Sequence, residues 1–97
     1  MSTSYERNRL GNNIRALREA YEETQEDLAK VIPCMRETIG KYERGERHID
    51  DEIKQKIAKH YKVSVQELLF SDLSKYNLHF NKEILYKYNY KEAFYSL

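Results

Sequence analysis

The sequence predicts an all-α domain of five short helices followed by a tyrosine-rich C-terminal extension. Three observations predict it. The 97 residues are 34% charged and 40% apolar with only three glycines and one proline, a composition that suits a helical globule better than a disordered or β-rich chain. Apolar residues from Leu10 to Leu69 recur at intervals of three and four, the period of a helix with one buried face. Capping residues stand where these runs begin, with Thr24, Asp50 and Ser64 each opening one. A chain of this length makes one small domain with room for an appendage, and a deep catalytic cleft with lids is not expected.

In chain order, Leu10, Ile14, Leu17 and Tyr21 mark an amphipathic first helix from about Tyr5 to Tyr21, with Ser4 in position to cap it. Gly11 weakens this helix without breaking it. Thr24 and Asp27 form a capping box with Asp in the place of Glu, and Leu28, Ala29 and Ile32 supply the face of a two-turn second helix that ends before Pro33. Ile39 and Tyr42 share one face of a third helix, about Met35 to Arg44, and Gly45 is placed to stop it. Asp50 caps a fourth helix carrying Ile53, Ile57, Ala58 and Tyr61, and Ser64 with Glu67 boxes the start of a fifth carrying Val65, Leu68 and Leu69. These helices fill a first unit, residues 1–70.

From Ser71 onward the composition changes, with five of the nine tyrosines and only two acidic residues after Asp72. Tyr76, Leu78 and Phe80 alternate with polar residues as in a short strand, whereas Tyr86, Tyr90, Phe94 and Leu97 fit one face of a helix begun near Asn81. Residues 71–97 therefore read as a distinct extension. Tyr76, Leu78, Phe80, Tyr86, Tyr90 and Phe94 are its candidates for dimerisation or for packing back on the domain.

The formal net charge is only +1, but its distribution is strongly dipolar. Arg7, Arg9, Arg15 and Arg18 stand against Glu6, and Glu19, Glu22, Glu23, Glu26 and Asp27 follow with no cation before Lys30. The acidic run reads as a solvated face that favours the helix dipole. No stretch approaches the ~18 apolar residues of a membrane span, and the N-terminus lacks the apolar core of a signal peptide, so an intracellular, cytoplasmic protein with no membrane partner is expected. Lone Cys34 has no second thiol for a disulfide or a C-x-x-C metal pair. It reads as a small packed hydrophobe in preference to a redox sensor. His48, His60 and His79 lack the spacing of a shared metal site and read as solvated. With no nucleophile and base constellation, no phosphate-cradling glycine loop and no metal spacing, neither an enzyme nor a cofactor is expected.

A two-turn helix, a tight turn and another short helix is the layout of the helix-turn-helix. The stretch TQEDLAKVIPCMRETIGKYERG, Thr24 to Gly45, resembles the Cro and lambda-repressor-like (XRE-type) helix-turn-helix family in its Thr-Gln opening, Leu28-Ala29, Thr38-Ile39 and the closing Tyr42-Glu43-Arg44-Gly45. LGNNIRALREA upstream and IAKHYKVSVQELL downstream are similar to that family's first, fourth and fifth helices, so the resemblance covers roughly residues 9–70 and leaves out the extension. It implies a lambda-repressor-like domain that binds double-stranded DNA through the helix at about 35–44, and a structural salt bridge between Arg18 and Glu43.

The residues themselves suit such roles. Arg36 and Glu37 stand in the first turn of the third helix with Lys41 one turn beyond, a set suited to reading base edges: Arg36 a guanine, Glu37 a cytosine amino group. Gln25, at the start of the second helix, and Thr38, Arg44 and Arg47 are suited to phosphates. Three features depart from the family pattern. Pro33 replaces the usual turn glycine and cannot adopt left-handed geometry. Met35 replaces the Ser or Thr cap, and Gly40 lies inside the third helix; each costs about 1 kcal/mol. The expected function is a sequence-specific transcriptional regulator, a repressor, that binds a palindromic operator as a homodimer. The alternative is a protein-interaction module, such as an antitoxin or accessory factor, that binds a protein partner of unknown identity and uses the motif for autoregulation.

Overall fold

The computed structural model describes residues 4–73, and within them the chain is all helical: α1 Ser4–Ala20, α2 Gln25–Val31, α3 Arg36–Glu43, α4 Asp51–Tyr61 and α5 Val65–Phe70. The strand and helix expected in the extension, and the candidate dimerisation residues from Tyr76 to Phe94, lie outside the described residues.

Local chemistry explains where the helices start. Thr24 Oγ1 accepts from the Asp27 N–H at 3.0 Å while Asp27 Oδ2 accepts from the Thr24 N–H at 2.9 Å, a reciprocal box that Ser64 and Glu67 repeat at α5. Asp50 Oδ1 accepts from the Ile53 N–H at 3.0 Å to open α4.

Three helices end alike. The N–H of Glu22 donates to Glu19 and that of Glu23 to Arg18; Gly45 and Glu46 donate to Tyr42 and Lys41, and Lys62 and Val63 to Lys59 and Ala58. Each is a Schellman closure with a left-handed residue, φ 56° at Glu22, 71° at Gly45 and 59° at Lys62. Only the middle one uses glycine, and there space also demands it: a Cβ on Gly45 would collide with the Asn8 side chain.

The core joins all five helices. Ile14 and Leu17 of α1, Leu28 of α2, Ile39 of α3, Ile57 and Tyr61 of α4 and Leu68 of α5 are fully buried, together with Ile32 and Leu73 beyond the ends of α2 and α5. Leu73 is packed into this core three residues past the end of α5. What holds it there is Asn13, a fully buried polar residue on α1. Its Nδ2 donates to the Leu68 carbonyl at 2.8 Å and to the Ser71 carbonyl at 2.6 Å, and its Oδ1 accepts from the Leu73 N–H at 2.9 Å. One amide thus satisfies three backbone groups where α5 ends, as buried polar atoms require.

Candidate nucleic-acid interface

The turn between α2 and α3 begins where Ile32, the α2 C-cap, donates to the Leu28 carbonyl and Cys34 donates to the Ala29 carbonyl at 3.1 Å. No residue of the turn has positive φ. Pro33 is accommodated by a rearranged turn with Ile32 at φ −114°, ψ 62°. Met35 is the N-cap of α3 in extended geometry and makes no side-chain cap bond, as expected of a side chain without an oxygen.

α3 is divided lengthwise. Ile39, Gly40, Tyr42 and Glu43 are buried, and Arg36, Glu37, Lys41 and Arg44 are exposed. Glu37, Lys41 and Arg44, spaced i, i+4, i+7, form one charged stripe, with Arg36 at its leading end. Thr38 lies off this stripe and is half-buried. Arg47 is exposed beyond Gly45, and its charge acts on Tyr42 and Cys34. Arg36, Glu37, Lys41 and Arg44 thus share the exposed side of α3 and its C-cap, whereas Thr38 is half-buried on α3, Gln25 opens α2 and Arg47 lies beyond α3.

A buried carboxylate positions the helix. Arg18 Nε donates to Glu43 Oε2 at 2.6 Å and Nη2 to Oε1 at 3.1 Å, a two-pronged pair with both side chains largely out of water. Arg18 Nη1 also donates to the Glu23 carbonyl at 2.7 Å, and the bond to Glu43 holds the guanidinium above its usual pKa against the opposing effect of burial. Gln25 Nε2 donates to Glu43 Oε1 at 3.1 Å. One donor of the Gln25 amide is therefore occupied by α3. Through Glu43 the start of α2, the end of α1 and the end of α3 share one hydrogen-bonded centre.

The exposed cations have carboxylate neighbours as well. Arg44 Nε lies 2.7 Å from Glu46 Oε2, and Arg36 lies 3.8 Å from Glu37. The Glu46 bond raises the Arg44 pKa, and the Arg44 bond lowers that of Glu46. Such exposed pairs contribute little to stability and exchange readily for other partners.

Sequence reasoning missed several supports. Gly11 is more than a weak point: a Cβ there would stand 2.5 Å from the carbonyl oxygens of Tyr42 and Glu43, so α1 crosses the end of α3 backbone against side. Asn13, at i+3 from Leu10 and i−4 from Leu17, is a polar residue on the apolar face, and that placement is the signal of a buried clamp. His60 is not solvated. Its Nε2 lies 2.7 Å from Glu23 Oε2, while the buried Tyr61 hydroxyl donates to Glu23 Oε1 at 2.7 Å. Burial and the Glu23 carboxylate push the Tyr61 pKa far up, so its hydroxyl stays a donor. Glu23, in the acidic run expected to be solvated, thereby ties α4 to the end of α1. Among the described residues no group of three His, Cys, Asp or Glu is placed to hold a metal ion, and no helix is long and apolar enough to cross a membrane.

Compared with known proteins, residues 14–68 match the sequence pattern of a helix-turn-helix family, HTH_3, from within α1 into α5. Neither the curated proteins nor the solved structures compared gave a match.

Proposed function

Because the chain belongs to the helix-turn-helix family of the Cro/C1 (XRE) type, whose domain binds DNA, we propose that it is a sequence-specific transcriptional regulator, a repressor, that binds a palindromic operator as a homodimer. The observation that carries this reading is the exposed stripe Glu37, Lys41 and Arg44 on α3, headed by Arg36 and braced from behind by the Arg18–Glu43–Gln25 centre. A helix fixed by its buried face presents polar side chains in a constant register, which base readout needs. Arg36, Glu37 and Lys41 read base edges. Arg44, Arg47, Thr38 and Gln25 hold phosphates, with Arg44 exchanging Glu46 for one of them. Residues 74–97 supply the dimer contact, and the protein acts in the cytoplasm.

Selection of bound duplexes from a random pool tests this. Two inverted half-sites centred about 34 Å apart, one helical turn, are expected. Arg36→Ala lowers affinity for the selected site by about 1–3 kcal/mol and relaxes preference at one base pair per half-site. Uniform weakening on every sequence would instead assign Arg36 to the backbone. A second reading, an antitoxin or accessory factor, is favoured by the carboxylates that balance the cations of α3 and by the tyrosines of residues 74–97. It predicts that a protein partner co-purifies and that the pool enriches only the duplex used for autoregulation.

A further inference from the structure

We infer that Met35 is a specificity-determining residue that reads a thymine through its 5-methyl group, an inference that rests on α3 being the helix that enters the major groove. Met35 is 69% exposed although it is a large apolar side chain, and it stands immediately before Arg36 and Glu37 at the leading end of α3. Among the described residues the other large apolar side chains as exposed as this, Tyr5 and Phe70, lie on α1 and α5. Position 35 is the N-cap, where an oxygen would satisfy a helix N–H; methionine makes no such bond and contributes nothing to the buried core. The hollow beside it, bordered by Ala29, Lys30, Cys34 and Glu37, is open, so no part of the described chain covers the thioether. Residues at the N-terminal end of a recognition helix are those that reach base edges. In the major groove the one apolar feature of any base edge is the thymine methyl, and an unbranched, polarisable thioether adapts its shape to such a group. Arg36 and Glu37 then supply the polar part of the readout and Met35 the apolar part, at neighbouring base pairs.

The test uses the full chain and the duplex selected above, with each thymine replaced singly by deoxyuridine, which removes only the methyl group. With the parent protein one position in each half-site is expected to lose about fourfold in affinity, the fold-change that one buried methyl carries. Met35→Ser should bind the thymine and uracil duplexes equally at that position, keep the pattern at all others, and melt no lower than the parent, since serine can cap α3. Met35→Leu should retain the uracil sensitivity. The inference is overturned if no thymine of the half-site is sensitive to uracil, if Met35→Ser keeps the sensitivity, or if Met35→Ser weakens all duplexes alike. A pool that enriches no duplex removes the proposed function itself, and this inference with it, whereas the other outcomes leave that function standing.

Discussion

At the scale of single residues, Asn13 and Cys34 show how burial decides a role. Asn13 is surrounded by apolar neighbours and satisfies three backbone groups 55–60 residues away. Asn13→Ala would remove the side-chain partner of two carbonyls and one N–H. We expect it to lower stability by about 2–4 kcal/mol, read from urea unfolding; a loss below ~1 kcal/mol would show that water reaches those groups. Cys34 is half-buried against the core, and burial pushes its thiol above the ordinary value of 9.0, with Arg47 pulling weakly the other way. The sign follows directly. The folded state holds this proton more tightly than the unfolded one, so the protonated thiol favours folding below pH 9.0, and that contribution is lost as pH rises through the folded value. Alkylation of the native protein should therefore be slower at pH 7 than that of a free cysteine peptide, with its rise displaced to higher pH, and Cys34→Ala should bind DNA within a few-fold of the parent. Fast alkylation with a midpoint below 9.0 would revive the redox-sensor reading.

At the scale of the element, two glycines in two helices carry opposite consequences. Both look like defects in sequence, since glycine is a poor helix former. On α1, Gly11 permits the backbone of α3 to approach, and a methyl group would meet two carbonyl oxygens that cannot move without shifting the recognition helix. Gly11→Ala is expected to destabilise by about 3 kcal/mol. On α3, a Cβ at Gly40 would meet only the guanidinium of Arg44, Nη1 at 2.9 Å, the far end of a flexible side chain. Gly40→Ala should therefore stabilise the domain by up to about 1 kcal/mol through helix propensity, while displacing Arg44 from its resting place. Thermal melts of the two variants decide this: equal losses would show that Arg44 packing over Gly40 matters as much as the crossing of α1 and α3. Because Arg44 is assigned to a phosphate, Gly40→Ala should alter affinity on all sequences alike and leave the base preference of α3 unchanged.

At the scale of the whole molecule, the packed unit includes Leu73, clamped to α1 by Asn13 and fully buried. Truncation after Leu73 is expected to leave helical circular dichroism and cooperative melting largely intact. One unit offers few readout side chains, whereas a two-fold dimer reads two half-sites. If residues 74–97 join two copies, the truncated protein should sediment as a monomer and lose most of its operator affinity, with a correspondingly shallower salt dependence because fewer phosphates are engaged. A truncated protein that still sediments as a dimer and binds as tightly would place the dimer contact within residues 1–73. One that unfolds would show that the extension packs back on its own domain.

The helices themselves were legible in the sequence because what starts and stops them acts over a few residues. Thr24 with Asp27, Asp50, and Ser64 with Glu67 find their N–H partners three positions away, and Gly45 ends α3 in its own closure. The charged stripe of α3 followed from the same short-range periodicity, since burying Ile39 and Tyr42 turns Glu37 and Lys41 outward. Tertiary structure alone decided which polar residues serve the frame. Gln25, free at the head of α2 in the sequence, gives one donor to Glu43; Glu23, one carboxylate of an acidic run, receives His60 and Tyr61; Gly11 admits the backbone of α3. Each depends on the distance and angle between helices remote in sequence, which capping and periodicity do not encode.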